Sequence, residues 1–333
     1  MNCGLGYNST PLSSNDLADI YNNYTYIHPS GGIGNTAITN TLDIITKHFI
    51  TNAKIVEIGC SEGYLMKRMQ SIGYTNLIGF DPSPQADIAI SEGLNVRKQF
   101  FTKESLEGDR ADGFIMVHTF EHFEDPFSIL RTLIDNLDPE GKIIIVVPNM
   151  EGYHHEHRFF YNEHFLKRVF ADCGLKIIDI VYETVSFKSR YHLACVAVRK
   201  DNNKYTEYPV TMTLEDAYNE AIEISKRYTD IHESFVRFLI DSESDVIYWW
   251  GAGSASVIML NNIYRPVLGG REIVVVDGSS DNLGKFIPGT GELVHSFKCM
   301  KRADVIIASS YYNEILQTIK MNGIETNRIL NIF

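Results

Sequence analysis

Short apolar runs alternate with amphipathic stretches along most of this chain, and the two periods differ. Ile55-Val-Glu-Ile58, Leu77-Ile-Gly-Phe-Asp81 and Asp112 to His122 read as strands. Gly141-Lys-Ile-Ile-Ile-Val-Val-Pro148 is almost wholly apolar, the pattern of a parallel strand covered on both faces. Between these runs, Asp125 to Leu137 carries apolar residues at helical spacing with Pro126 near its first turn. Phe165 to Gly174 is a second helix ending on a glycine, and Leu175–Glu183 and Tyr191–Arg199 are further strands. Leu42 to Ile50 reads as a helix leading into the first strand.

The alternation starts again after Asp201-Asn-Asn-Lys204, which reads as a linker, and a helical stretch at 213–240. Strands are expected at Val246–Trp250, Ile273–Asp277, Ala303–Ala308 and Arg328–Ile332, with helices at Ala255–Asn262 and Asn313–Met321. The fold class is therefore α/β: a Rossmann-like domain followed by a second, smaller Rossmann-like domain. The expected division is 1–50, an aromatic and polar segment with the lead-in helix; 51–200, the first domain; and 201–333, the second.

The first strand runs into Gly59-Cys-Ser-Glu-Gly63 and then a helix start. Glycines there permit backbone angles or close approaches that a side chain would block, and the helix offers free N–H groups. Asp81 follows about 20 residues later, where an acid holds the two hydroxyls of a ribose. An adenosine-containing cofactor is thus expected. A dinucleotide site wants G-x-G-x-x-G, whereas this chain has Glu57 before the first glycine and Ser61 in the middle. Glu57 would repel a pyrophosphate and attract a cationic sulfonium. The second unit has Gly251-Ala-Gly253-Ser with Asp277 further on, but Ser256 stands where the third glycine belongs. A structural or substrate-binding role is expected for it ahead of a second nucleotide cofactor.

Charge changes the picture next. The chain carries 30 basic and 42 acidic residues, a net charge of −12, so no nucleic-acid partner is expected. No apolar stretch has the length of a membrane span, and the first residues do not resemble a signal peptide, so neither a membrane nor export is expected. The five cysteines are scattered and form no C-x-x-C pair. They read as reduced thiols in a cytoplasmic protein, with no metal expected. Oligomeric state is not legible.

Glu151 to Tyr161 holds three histidines and a glutamate in four consecutive positions, His154 to His157, just past the strand at 141–148. In an open α/β sheet that edge is where ligands sit. Imidazoles there suit proton transfer near neutral pH. A metal is the lesser reading, because neighbours in an extended segment face opposite ways.

Glu57 to Gly63 resembles motif I of the class I S-adenosylmethionine (SAM) methyltransferases, and the strand–helix–strand order after it is similar to theirs. Most of the chain further resembles the sugar C-methyltransferases, which methylate a ring carbon of nucleotide-linked 4-keto-6-deoxysugars. The likeness lies in His155-Glu156-His157 with the aromatics after it, in Tyr248 to Ala255, in Val275–Asp277 and in Gly284 to Gly291. The resemblance implies that Glu57, Gly59, Ser61, Gly63, Asp81, His118 and Phe120 hold SAM. It implies His157 as the catalytic base with His155 the second choice, Glu156 orienting it and Tyr153 a donor to the enolate oxygen. Tyr24, Tyr26, His122, Asn149, Gly251, Gly253 and Asp277 would bind a nucleotide-sugar. Two features differ from that family: His154 stands at its tyrosine position, and only Cys3-Gly4-Leu5 remains of its N-terminal zinc module. O-methylation of a sugar hydroxyl, and a non-catalytic protein binding NAD or a nucleotide-sugar, stay open.

Overall fold

The computed structural model describes residues 6–8, 32–150, 157–184, 190–253, 256–257, 259–260, 268–280, 282–287 and 289–332. Tyr24, Tyr26, Tyr153, His155, Glu156 and half of the helix expected at 255–262 lie outside them.

A short strand β1 (Gly6–Tyr7) precedes helix α1 (Gly32–His48), which starts ten residues before the helix expected from the pattern. There follow β2 (Ile55–Ile58), α2 (Tyr64–Ser71), β3 (Leu77–Phe80), α3 (Ala86–Ser91), β4 (Val96–Arg97) and β5 (Ala111–Val117). A 3-10 turn, Phe120–His122, leads to α4 (Pro126–Asn136) and β6 (Leu137–Pro148). Asp125 caps α4 by accepting the N–H groups of Phe127 and Ser128, and Pro126 follows it at the first helical position. Then come β7 (Phe159–Phe160), α5 (Glu163–Asp172), β8 (Leu175–Thr184) and β9 (Arg190–Arg199).

Seven of these strands form one sheet in the order β4-β3-β2-β5-β6-β9-β8. All neighbours are parallel except around β9, which runs against both β6 and β8. Alternate residues feed two cores, as the two-residue period of a strand requires. Val56, Phe114 and Met116 pack on one side with Leu130, Leu133 and Phe170, while Ile55, Ile115 and Ile144 pack on the other with Ile45, Leu65 and Met69. This is the class I methyltransferase arrangement, a Rossmann-like sheet closed by one reversed strand.

Helix α6 (Leu214–Ile240) leads to β10 (Val246–Trp250), β11 (Glu272–Asp277), β12 (Val294–Ser296), β13 (Ala303–Ile307), α7 (Tyr312–Met321) and β14 (Thr326–Asn331). Their sheet is parallel throughout, in the order β12-β11-β10-β13-β14. Order reverses between β10 and β13, as in a doubly wound fold. The chain divides into two compact units, and the division falls between Ile222 and Glu223, inside α6.

Candidate functional site

Three backbone positions mark the carboxyl edge of the first sheet. Among the described residues, Ser61, His118, Met150 and Glu107 are the non-glycines with positive φ. Ser61 (φ 48°) follows β2, His118 (φ 51°) follows β5 and Met150 (φ 55°) follows β6. Such angles cost free energy in a residue with a side chain, and they concentrate where the chain must turn sharply to build a site.

The loop after β2 is fixed from several directions. Gly59 (φ 76°) and Gly63 (φ 73°) both need left-handed angles. A Cβ on Gly59 would collide with the Thr119 side chain, and one on Gly63 with Leu94. The two glycines therefore serve close packing within the protein as well as the turn itself. Asp81, at the end of β3, accepts the Ser61 N–H through Oδ2 at 2.8 Å and the Ser83 N–H through Oδ1 at 2.8 Å. Glu57 lies on β2 beneath this loop, 6% exposed, with Oε2 buried and without a hydrogen bond. Burial, and then the neighbouring Asp81 charge, push its carboxyl up to about 8. A buried carboxylate oxygen lacking a donor fits a cofactor that brings a cationic or N–H group to it. Asp81 retains lone pairs for hydroxyls. The residues present thus fit SAM.

Facing this loop along the sheet edge is Glu121, 1% exposed, on the turn that follows β5. Neither of its carboxylate oxygens has a hydrogen bond. Imidazoles approach it instead: His118 Nδ1 lies 3.5 Å and His157 Nε2 3.9 Å from Glu121 Oε1. The His122 and His157 rings meet edge to face, with centroids 4.9 Å apart. Burial alone would raise the Glu121 carboxyl; His118 beside it and the charges of His122 and His157 overcome that and bring it down to about 2.

The cluster is held from several sides. Arg158 N–H donates to the Glu121 carbonyl at 3.0 Å, Asn8 N–H to the Arg158 carbonyl at 2.9 Å, and Asn8 Nδ2 to the His157 carbonyl at 3.4 Å. Strand β1 pairs with β7 next to these contacts. Phe120 is fully buried and stacks on Tyr161 with ring centroids 5.0 Å apart. The Tyr161 hydroxyl is buried without a hydrogen bond, and burial together with Glu121 raises its pKa well above the ordinary value. His192 on β9 is 3% exposed and its ring lies 4.4 Å from that of His118. Burial, then the His118 charge, holds His192 in its neutral form.

Of the residues expected to act, the structure gathers His118, Phe120, His122 and His157 around Glu121, and Glu57, Gly59, Ser61, Gly63 and Asp81 around the loop after β2. Asn149 is 2% exposed and its Nδ2 donates to Glu220 at 3.0 Å. Gly251, Gly253 and Asp277 belong to the second unit, where Asp277 Oδ2 accepts the Ala252 N–H at 2.8 Å and Oδ1 the Ser279 N–H at 2.7 Å. Sequence reasoning placed Glu121 only within the stretch from Asp112 to His122, and it missed Tyr161, His192 and Glu220 as neighbours of the site. The available signal was an acid between an aromatic and a histidine at the mouth of a buried strand.

Residues 35–180 match the model of a family described as a methyltransferase domain. The tRNA U34 carboxymethyltransferase of Sulfurimonas denitrificans is 32% identical over an alignment of 124 residues, which covers 33% of this chain and 40% of that protein. A ubiquinone biosynthesis O-methyltransferase of Ruegeria pomeroyi is 31% identical over 106 residues, covering 30% of this chain and 42% of that protein. The chain thus spans about 40% of the length of these curated relatives. Among solved structures, Burkholderia thailandensis 1,6-didemethyltoxoflavin-N1-methyltransferase, with its substrate and S-adenosylhomocysteine (SAH) bound, aligns at a TM-score of 0.48 and 17% identity, covering 59% of this chain and 95% of that one. Residues 35–180 thus match a methyltransferase domain, and the seven-stranded order and the loop after β2 give the Rossmann-like class I methyltransferase fold, with residues that fit SAM.

Proposed function

We propose that the whole chain is a SAM-dependent methyltransferase that methylates a ring carbon of a nucleotide-linked keto-deoxysugar. The observation that carries this reading is the buried Glu121 with His118, His122 and His157 around it, on the sheet edge that also holds Glu57 and Asp81. SAM, when bound, supplies a methyl group made electrophilic by its sulfonium.

The chain's own residues have three tasks. Glu57 and Asp81 orient the cofactor: the orphaned Oε2 of Glu57 takes a cationic or N–H group, and Asp81 takes ribose hydroxyls. A base removes the proton beside the ketone, because a ring carbon is no nucleophile until it does. His157 and His155 are the candidates, with Glu156 orienting the base. A donor, Tyr153 in this reading, stabilises the enolate oxygen. The sugar assignment is supported by the likeness of His155-Glu156-His157 and of Gly284 to Gly291 to the sugar C-methyltransferases. The second unit, with Gly251, Gly253 and Asp277, would grip the nucleotide.

The test is calorimetric titration with SAH, followed by methyl-transfer assays on keto-sugar nucleotides, hydroxyl-only sugar nucleotides and bulk tRNA. Tight SAH binding, turnover of a keto-sugar nucleotide and exchange of its ring proton with solvent deuterium are expected. Transfer to a hydroxyl without exchange would make the enzyme an O-methyltransferase. Modification of tRNA would replace the sugar reading with the activity for which several relatives are named; the net charge of −12 stands against that outcome.

A further inference from the structure

We propose that Glu121, His122 and His157 form a binding site for one divalent first-row cation, Zn²⁺-like in its ligand preference. Each offers one ligand atom, and these atoms all lie within 4.8 Å of one another. A tetrahedral site with bonds of about 2.0–2.1 Å has ligand atoms about 3.3 Å apart, so modest side-chain rotations close the gap. Two imidazole nitrogens and one carboxylate oxygen, with the remaining positions open, are the donor set of catalytic zinc centres and of two-histidine, one-carboxylate iron sites.

Glu121 supplies an independent argument. Its carboxylate is buried, yet neither oxygen accepts a hydrogen bond. A buried anion without donors is costly unless an opposite charge reaches it. His118 and His157 approach at 3.5 and 3.9 Å, too far for good hydrogen bonds and close enough for an ion to bridge the carboxylate to its neighbours. His118 would be the outer partner that orients the carboxylate, as metal-ligating groups usually require. Backbone links already hold the two halves of the site together, since Arg158, next to His157, donates to the Glu121 carbonyl.

The site rests on the methyl-transfer reading only for what the ion does. With His157 as a ligand, proton removal passes to His155. The ring proton goes to His155, the electron pair moves onto the acceptor's carbonyl oxygen, and the ion neutralises that oxygen. The carbon then attacks the methyl, and the sulfur leaves with the electrons of the broken bond.

The test uses the full chain, stripped with a chelator and dialysed. Zn²⁺, Mn²⁺ and Mg²⁺ are titrated by calorimetry, and Co²⁺ by its visible absorption, with SAH binding measured on the same samples. Saturable binding of one Zn²⁺ is expected, with Mg²⁺ much weaker. Glu121→Gln and His122→Asn should each weaken Zn²⁺ at least tenfold while SAH still binds. His155→Asn should keep the ion and lose turnover; His157→Asn should lose both. A wild-type chain that takes up no ion, or a Glu121→Gln variant that binds it unchanged, overturns the site. An ion bound without turnover of any sugar leaves the site standing and removes the sugar reading. Full turnover by the stripped protein keeps the sugar reading and removes the ion's part in it.

Discussion

Asp81 Oδ2 accepts the backbone N–H of Ser61 at 2.8 Å, which ties the end of β3 to the turn after β2. The second unit repeats the device: Asp277 Oδ2 accepts the Ala252 N–H, also at 2.8 Å. In both sheets the acid holds the glycine turn of the preceding strand as well as facing the ligand edge. Ser61 sits at φ 48°, an angle it would leave if released.

Asp81→Asn therefore should damage the cofactor site in two ways at once. The amide offers one acceptor where the carboxylate offers two, so the Ser61 or the Ser83 contact is lost, and the hold on ribose weakens. SAH affinity is expected to fall at least tenfold, about 1.4 kcal/mol, by calorimetry. Far-ultraviolet circular dichroism should be unchanged. Unaltered affinity would mean that Asp81 serves neither purpose.

Glu57 makes a pH-dependent prediction. Its carboxyl ionises near 4.5 in the unfolded chain and at about 8 in the folded one, chiefly through burial. Below 4.5 both states keep the proton and the group does not affect stability. Between the two values the unfolded chain sheds a proton that the folded chain retains, so stability falls by about 1.4 kcal/mol per pH unit. Above the folded value the loss is complete. Glu57→Gln removes this penalty. Its melting temperature should match the parent's near pH 4.5, exceed it increasingly as pH rises to about 8, and be accompanied by weaker SAM binding. A variant destabilised at alkaline pH would count against the buried acid.

The strands were legible because parallel strands covered on both faces must be apolar, as Ile143 to Val147 are. The cofactor turn was legible because Glu57, the glycines and Asp81 are close in sequence. The β1–β7 pair was not, since two-residue strands more than 150 residues apart carry no local pattern. Glu121 escaped for a similar reason. Its importance comes from burial and from His157 reaching it across the β6 edge, and neither is written in the residues beside it. The longer α1 was hidden by the glycine- and threonine-rich stretch at its start, which has low intrinsic helix propensity.

Asp304 and Arg328 anchor the last two strands of the second sheet. The Asp304 side chain is 2% exposed and receives Arg328 Nη2 at 2.5 Å and Ser242 Oγ at 2.7 Å. Burial would raise its carboxyl, but these two partners outweigh it and lower the pKa below the ordinary 3.8. The pair's contribution is thus complete above the unfolded value and lost as pH falls through the lower folded one. Arg328→Ala leaves the carboxylate buried with its main partner gone. Arg328 is 39% exposed, so solvent screens the loss, and about 2 kcal/mol is expected instead of the 3–5 of a fully buried pair. Both tryptophans of the chain, Trp249 and Trp250, lie in β10 of the same sheet, so intrinsic fluorescence during urea unfolding reads this unit. A shift in midpoint at pH 7 that shrinks in acid is the expected result; no shift would show that the pair adds nothing.

Ser256 stands where a dinucleotide fingerprint has its third glycine, and its contacts give a structural reason. Its hydroxyl accepts the Trp249 Nε1–H at 2.7 Å and donates to the Gly251 carbonyl at 2.5 Å, with Ser256 and Trp249 both fully buried. The serine thus satisfies an indole that would otherwise be an orphaned donor in the core, and it ties the glycine turn to β10. Ser256→Ala should cost about 1–3 kcal/mol for the groups left unpaired, and Ser256→Thr, which keeps the hydroxyl, should recover part of it. Ser256→Gly restores the fingerprint residue but loses the same two bonds, so the variant should be destabilised and gain no affinity for NAD. Tight NAD binding by that variant would mean that the second unit is a dinucleotide site held back by a single hydroxyl.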